Sequence, residues 1–80
     1  GINMKISYDR ETDVMFIELR EGEFAKNKKL NDCTVLDLDR EGNLLGIELL
    51  DISKRISPES LRDIQIKHFL PITPTSITTL

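Results

Sequence analysis

Two apolar runs separated by a single polar turn constrain this chain more than any other feature. Val35, Leu36 and Leu38 stand in the first run; Leu44, Leu45, Ile47, Leu49 and Leu50 stand in the second. Asp39-Arg40-Glu41-Gly42-Asn43 lies between them. Strand side chains alternate between faces, so apolar residues at consecutive positions put apolar surface on both sides of a sheet. The pattern predicts a β-hairpin in which Gly42 takes the left-handed position of a type I turn with a bulge. Gly46, inside the second arm, leaves room for close approach by a large side chain or another backbone. A sheet with two apolar faces needs cover, and eighty residues supply little of it. A chain of this size buries only about 60–65% of its unfolded surface. Association with a second copy is the expected remedy.

The rest of the chain adds strands before the hairpin and a helix after it. Residues 4–8 alternate Met4, Ile6 and Tyr8 with Lys5 and Ser7, the period of a half-buried strand. A polar turn follows, where Asp9 is placed to accept a bond from the amide two residues on. Residues 14–19 set Val14 and Phe16 against Met15, Ile17 and Leu19, both faces apolar, and read as an interior strand. After Gly22, residues 24–30 carry Lys26, Lys28 and Lys29, a device that protects a sheet edge from pairing with other chains. Ser57-Pro58-Glu59 is a helix start: N-cap, first-turn proline and an acid near the positive end of the dipole. A short helix over residues 58–62 and then a strand over residues 63–69 is the expected continuation. A single helix running to His68 is the alternative. Pro71 and Pro74 exclude a regular element beyond, leaving residues 70–80 as an extended tail. The expected fold is therefore β-dominated α+β, an antiparallel sheet of about five strands with one short helix. Residues 4–69 form one domain, and residues 1–3 read as preceding a native start at Met4.

Several function classes lose support from composition. A net charge of -3 gives no general attraction for nucleic acid or an anionic membrane. Three lysines without an interleaved aromatic make a poor nucleic-acid site. No apolar run approaches the roughly 20 residues of a membrane span. The start of the chain also lacks a long apolar stretch behind a basic end, so no signal peptide is expected. One cysteine, Cys33, and one histidine, His68, are far from a zinc ligand set, and Cys33 has no internal disulfide partner. No metal or other cofactor is expected, and a reducing cytoplasmic setting fits the cysteine usage.

The raw material for chemistry is acidic. Asp37, Asp39 and Glu48 lie on the hairpin, and Lys54 and Arg55 follow it. If Asp39 pairs near Asn43, Asp37 faces Leu45 while Glu48 lies on the opposite face near Thr34. Carboxylates on opposite faces can neither share a metal nor act as an acid–base pair. Asp39 is better explained by the turn it begins. Ser53-Lys54-Arg55 could meet a phosphate at the helix start, although a polar exit from the sheet is the simpler reading. Asp37, Asp39, Glu48, Lys54 and Arg55 are thus the ligand-binding candidates, with no catalytic residue assigned.

The stretches MKISYDRETDVMFIEL and VLDLDREGNLLGIELLDISKRI resemble the small prokaryotic family Domain of Unknown Function 2283. The likeness covers about residues 4–56. Its more specific marks are Tyr8-Asp9, Asp37-x-Asp39, Gly46-Ile47-Glu48 and Ser53-Lys54-Arg55. The resemblance implies a compact antiparallel unit without an assigned activity. Some members lie beside genes for small toxin-like proteins, which implies an antitoxin role. The function expected from these residues is a non-enzymatic, cytoplasmic interaction module that forms a homodimer and binds a protein partner. A ligand-binding or hydrolytic domain using the acidic hairpin is the competing class. Convergence of Asp37, Glu48 and Lys54 in one pocket would favour the second; a flat apolar face would favour the first.

Overall fold

A computed structural model describes residues 4–67. Five strands come first: β1 (Lys5–Asp9), β2 (Val14–Glu18), β3 (Lys26–Asn31), β4 (Thr34–Leu38) and β5 (Leu44–Leu50). Two short helices follow, α1 (Ile52–Arg55) and α2 (Pro58–Arg62). The strands form one antiparallel sheet in the order β1-β2-β5-β4-β3. The chain is a strand-dominated α+β fold. Residues 14–18 are interior, as their two apolar faces require, and the lysine-bearing β3 is an edge.

Local chemistry explains the turns. Asp9 Oδ1 accepts the Glu11 amide at 3.0 Å, closing the β1–β2 turn by the short-range bond expected of that aspartate. Gly42 has φ +87°, where a side chain would be strained. Asp39 accepts the Asn43 amide at 2.7 Å and the Asn43 side-chain amide at 3.0 Å, while the Asp39 amide donates to the Asn43 carbonyl at 3.0 Å. Asp39 is buried, and its hydrogen bonds with Asn43 lie within the turn. Burial opposes its charge, but the bonds from Asn43, the Glu41 amide and nearby Arg20 outweigh that and hold its carboxyl below the usual range.

Where the sheet ends, the chain departs from expectation. Residues 52–55 form α1, a helix with no side-chain cap and no visible periodicity. Asp51 enters it in the left-handed conformation, φ 52°. The helix is fastened to the β1–β2 turn through Asp13, also left-handed at φ 59°. The Asp13 carboxylate accepts the Ser53 hydroxyl at 2.7 Å, the Ser53 amide at 3.2 Å and the Tyr8 hydroxyl at 2.8 Å. Its backbone carbonyl accepts the Ile52 amide at 3.1 Å. α2 begins as expected, with Ser57 accepting the Ser60 amide at 3.3 Å. The strand expected over residues 63–69 does not form through residue 67, nor does the helix continue. Ile64 and Ile66 are exposed; their alternation has no strand to pair with among the described residues, and pattern without a ladder makes no strand. His68, the last residues of that expected strand and the tail at 70–80 lie outside the described residues.

Hydrogen bonds from Ser53 first, and then from Tyr8, hold the Asp13 carboxyl below its ordinary range. Asp13 and Asp39 therefore share a sign. Each has a folded pKa below its unfolded value of about 3.9, so the stability each contributes is present above that pH. It is lost as pH falls through the lower folded values. The urea midpoint should drop below about pH 4, and Asp13→Asn should flatten that acid limb while lowering the neutral plateau. A midpoint in Asp13→Asn with the wild-type acid slope would contradict this account.

Candidate functional site: two carboxyls on one face

The register decides which side chains meet. Asp37 pairs with Gly46, and Val35 pairs with Glu48. Paired residues share a face, as do residues two apart on a strand, so Asp37 and Glu48 are diagonal neighbours on one face. The expectation that they lie on opposite faces is overturned. Asp39 does pair with Asn43 at the turn, as assumed. But Leu38 then pairs with Leu44 and Asp37 with Gly46, which leaves Leu45 as an extra residue on β5. A one-residue bulge moves every later side chain to the other face. Glu48 consequently stands opposite Val35, and Thr34 pairs with Leu49.

The bulge has long-range support. The Leu45 carbonyl accepts the Leu19 amide at 2.8 Å and the Arg20 amide at 3.4 Å. These residues begin the segment that carries the chain from β2 past β5 and β4 to the far edge. Phe24 on that segment hangs over the carboxyl-bearing face. With Phe16, Ser7, Asn27, Asp37 and Glu48 it lines a concavity of about 460 Å³. A second depression of about 320 Å³ adjoins it, lined by Glu18, Arg20 and Gly46 among others. Gly46 is required there: a Cβ would stand 2.8 Å from the Ile17 carbonyl oxygen, with the Asp37 carboxylate 3.7 Å away.

The two carboxyls are strongly linked. Asp37 Oδ1 is buried without a donor. Glu48 is pushed up to about 7, first by its hydrogen bond with Asp37, then by burial, then by the Asp37 charge. Adjacent carboxyls in partly apolar surroundings behave this way because two like charges cannot both be held cheaply. Lys54 and Arg55 do not join them. They sit on α1, and neither lines either concavity. Arg55 Nη1 donates to the Cys33 carbonyl at 3.1 Å, tying the helix to the start of β4. Among the described residues no three His, Cys, Asp or Glu side chains are grouped to hold a metal ion. Sequence reasoning missed Asp13, whose bonding partner Ser53 is 40 positions away.

The other face is different in kind. Ile6, Ile17, Ile47 and Leu36 form a row across four adjacent strands, and Tyr8, Met15 and Leu49 form the next. Met15 is buried, but Ile6 and Tyr8 are 41% and 42% exposed, and Ile17, Ile47, Leu36 and Leu49 are only partly covered. Among the described residues the extensive contacts between elements are those of neighbouring strands. Lys26 and Lys28 bound this face at the β3 edge, opposite Leu38 and Leu36.

A single small antiparallel sheet with a carboxyl pair on one face and apolar rows on the other defines the class: a minimal β-rich domain. The family described as "Protein of unknown function (DUF2283)" matches residues 5–53, and the chain belongs to that family. No curated protein and no solved structure matches the chain. No helix among the described residues is long and apolar enough to cross a membrane.

Proposed function

We propose that this domain is a non-enzymatic interaction module that pairs with a second copy of itself through the apolar face of its sheet. The observation that carries the reading is the row Ile6–Ile17–Ile47–Leu36, apolar across four strands and still partly exposed in the single chain, Ile6 the most at 41%. Complete burial of such a side chain contributes about 1.5–3 kcal/mol, so the fraction still exposed, summed over several residues of two copies, favours association by roughly a few kcal/mol. Two sheets stacked about 10 Å apart would cover both copies at once. A two-fold axis along the strands sets the lysine edge of one copy against Ile6 and Tyr8 of the other, so like charges do not stack. Cys33, a free thiol, agrees with a cytoplasmic setting. A toxin-like protein, the partner implied by the family resemblance, would use the same kind of surface.

The ligand-binding reading has one observation in its favour, the convergence of Asp37 and Glu48 in a concavity. The cation it called for, Lys54, stands elsewhere, and the apolar face is the larger unmet demand. Light scattering at micromolar concentration is the test. The expected mass is about twice the 9.2 kDa of one chain. Ile6→Glu, on the edge strand where the fold tolerates change, should give a folded monomer. A wild-type monomer that stays monomeric on concentration would sink the proposal.

A further inference from the structure

We propose that a proton on Glu48 bridges it to Asp37, and that loss of this proton is a built-in switch that weakens the pairing of β4 with β5. This switch lies on the face opposite the proposed dimer surface and does not depend on it. The geometry comes first. The bulge at Leu45 sets the two carboxyls on one face as diagonal neighbours, on adjacent strands in the middle of the sheet. Asp37 Oδ1 is buried and has no hydrogen-bond partner. Two ionised carboxylates can only accept hydrogen bonds, so nothing in the pair satisfies that oxygen. A proton on Glu48 converts it into the missing donor, and the hydrogen bond then carries one negative charge instead of two.

The surroundings do not supply a cation in the proton's place. From β2 the same face presents Phe16 opposite Glu48 and Glu18 opposite Gly46, and a third carboxylate makes double ionisation harder. From β3 it presents Asn27, which is uncharged, opposite Asp37, and Lys29 opposite Val35. Lys29 already faces Asp32 at 3.5 Å. From β1 come Ser7 and Lys5, and Lys5 lies 3.9 Å from Glu18. The crossing segment contributes Phe24 and, beside the second depression, Arg20 and Glu21; Arg20 acts on Asp39. Glu48, pushed up to about 7, is the group that gives up the shared proton.

The sign follows from linkage. In the unfolded chain a glutamate titrates at about 4.3. In the folded chain its pKa is raised, so the stability tied to this proton is fully present below the unfolded value and is lost as pH rises through about 7. That is opposite to the acid limb of Asp13 and Asp39. The doubly charged pair then repels itself across the β4–β5 ladder, where the bulge already interrupts the register.

Carbon-detected NMR of the full chain, with the Glu48 carboxyl assigned, tests this between about pH 4 and pH 9. The expected midpoint is about 7, and the melting temperature should fall between about pH 5.5 and pH 8.5. Asp37→Asn should bring Glu48 down from about 7 toward the ordinary glutamate value of about 4.3, leaving the part of the shift that burial causes. Glu48→Gln, an uncharged donor of the same shape, should keep the fold and remove most of the alkaline fall. A wild-type Glu48 that titrates between about 4 and 5 overturns the proposal whatever the variants do. So does an alkaline fall that survives intact in a folded Glu48→Gln.

Discussion

Ile52→Ala should destabilise the domain by about 2–5 kcal/mol, the range for truncating a fully buried isoleucine. Among the described residues the buried apolar side chains are Val14, Met15, Leu45 and Ile52, and Ile52 alone is completely enclosed, at 0% exposure. Its backbone is committed as well. Its amide donates to the Asp13 carbonyl, and its carbonyl accepts the Ile56 amide at 2.9 Å. A helix of four residues has no stability of its own, because nucleation costs more than so few hydrogen bonds return. α1 therefore exists because Ile52 is buried and Asp13 receives Ser53, not because of local propensity. Truncation should release the helix together with the cavity cost, and a small domain has only about 5–10 kcal/mol in hand. Urea unfolding followed by circular dichroism measures the loss. Ile52→Val, which removes one methylene, should cost about 0.5–1.5 kcal/mol. Equal, small losses for the two variants would show that the site is not enclosed as described.

What was legible in the sequence was local. Asp9, Gly42 and Ser57 each act within four residues of themselves, through turn and cap geometries that depend only on neighbours along the chain. The alternation of residues 4–8 and the two-faced pattern of residues 14–19 needed only the period of a strand, and both segments are strands. β3 was placed at an edge by its lysines alone. The failures have a common cause, which is dependence on distant partners. The bulge at Leu45 is held by amides of Leu19 and Arg20, so nothing within residues 39–50 announces it. One skipped residue was enough to reverse the faces of Asp37 and Glu48, and with them the reading of the acidic hairpin. α1 was hidden for the same reason, since its anchor, Asp13, is 40 positions from Ser53. The segment after α2 failed in the other direction: Ile64 and Ile66 have strand spacing, but the described sheet offers them no ladder.

Gly46→Val should be at least as damaging as overpacking of an ordinary core site, about 1–3 kcal/mol, with the upper end expected. The glycine lies on the central strand, between β2 and β4. A Cβ there would meet the Ile17 carbonyl oxygen at 2.8 Å, and that atom is backbone in a hydrogen-bonded strand, so it cannot swing aside as a side chain could. Relief requires β2 and β5 to separate. That would disturb the ladder on both sides and shift Glu18, the partner of Gly46 on β2. The γ-methyls of valine would also enter the space between Glu18 and Asp37, crowding the carboxyls that the missing side chain leaves room for. Gly46→Ala separates these effects, because it keeps the backbone clash and adds little bulk beside Asp37. Its loss of stability should be a large part of that seen with valine. Small loops tolerate such changes, whereas a central strand flanked on both sides does not. Thermal melting of both variants decides the matter. If Gly46→Ala melts within a degree or two of the wild type, the strands yield easily at this point, and close backbone approach is not why a glycine stands there.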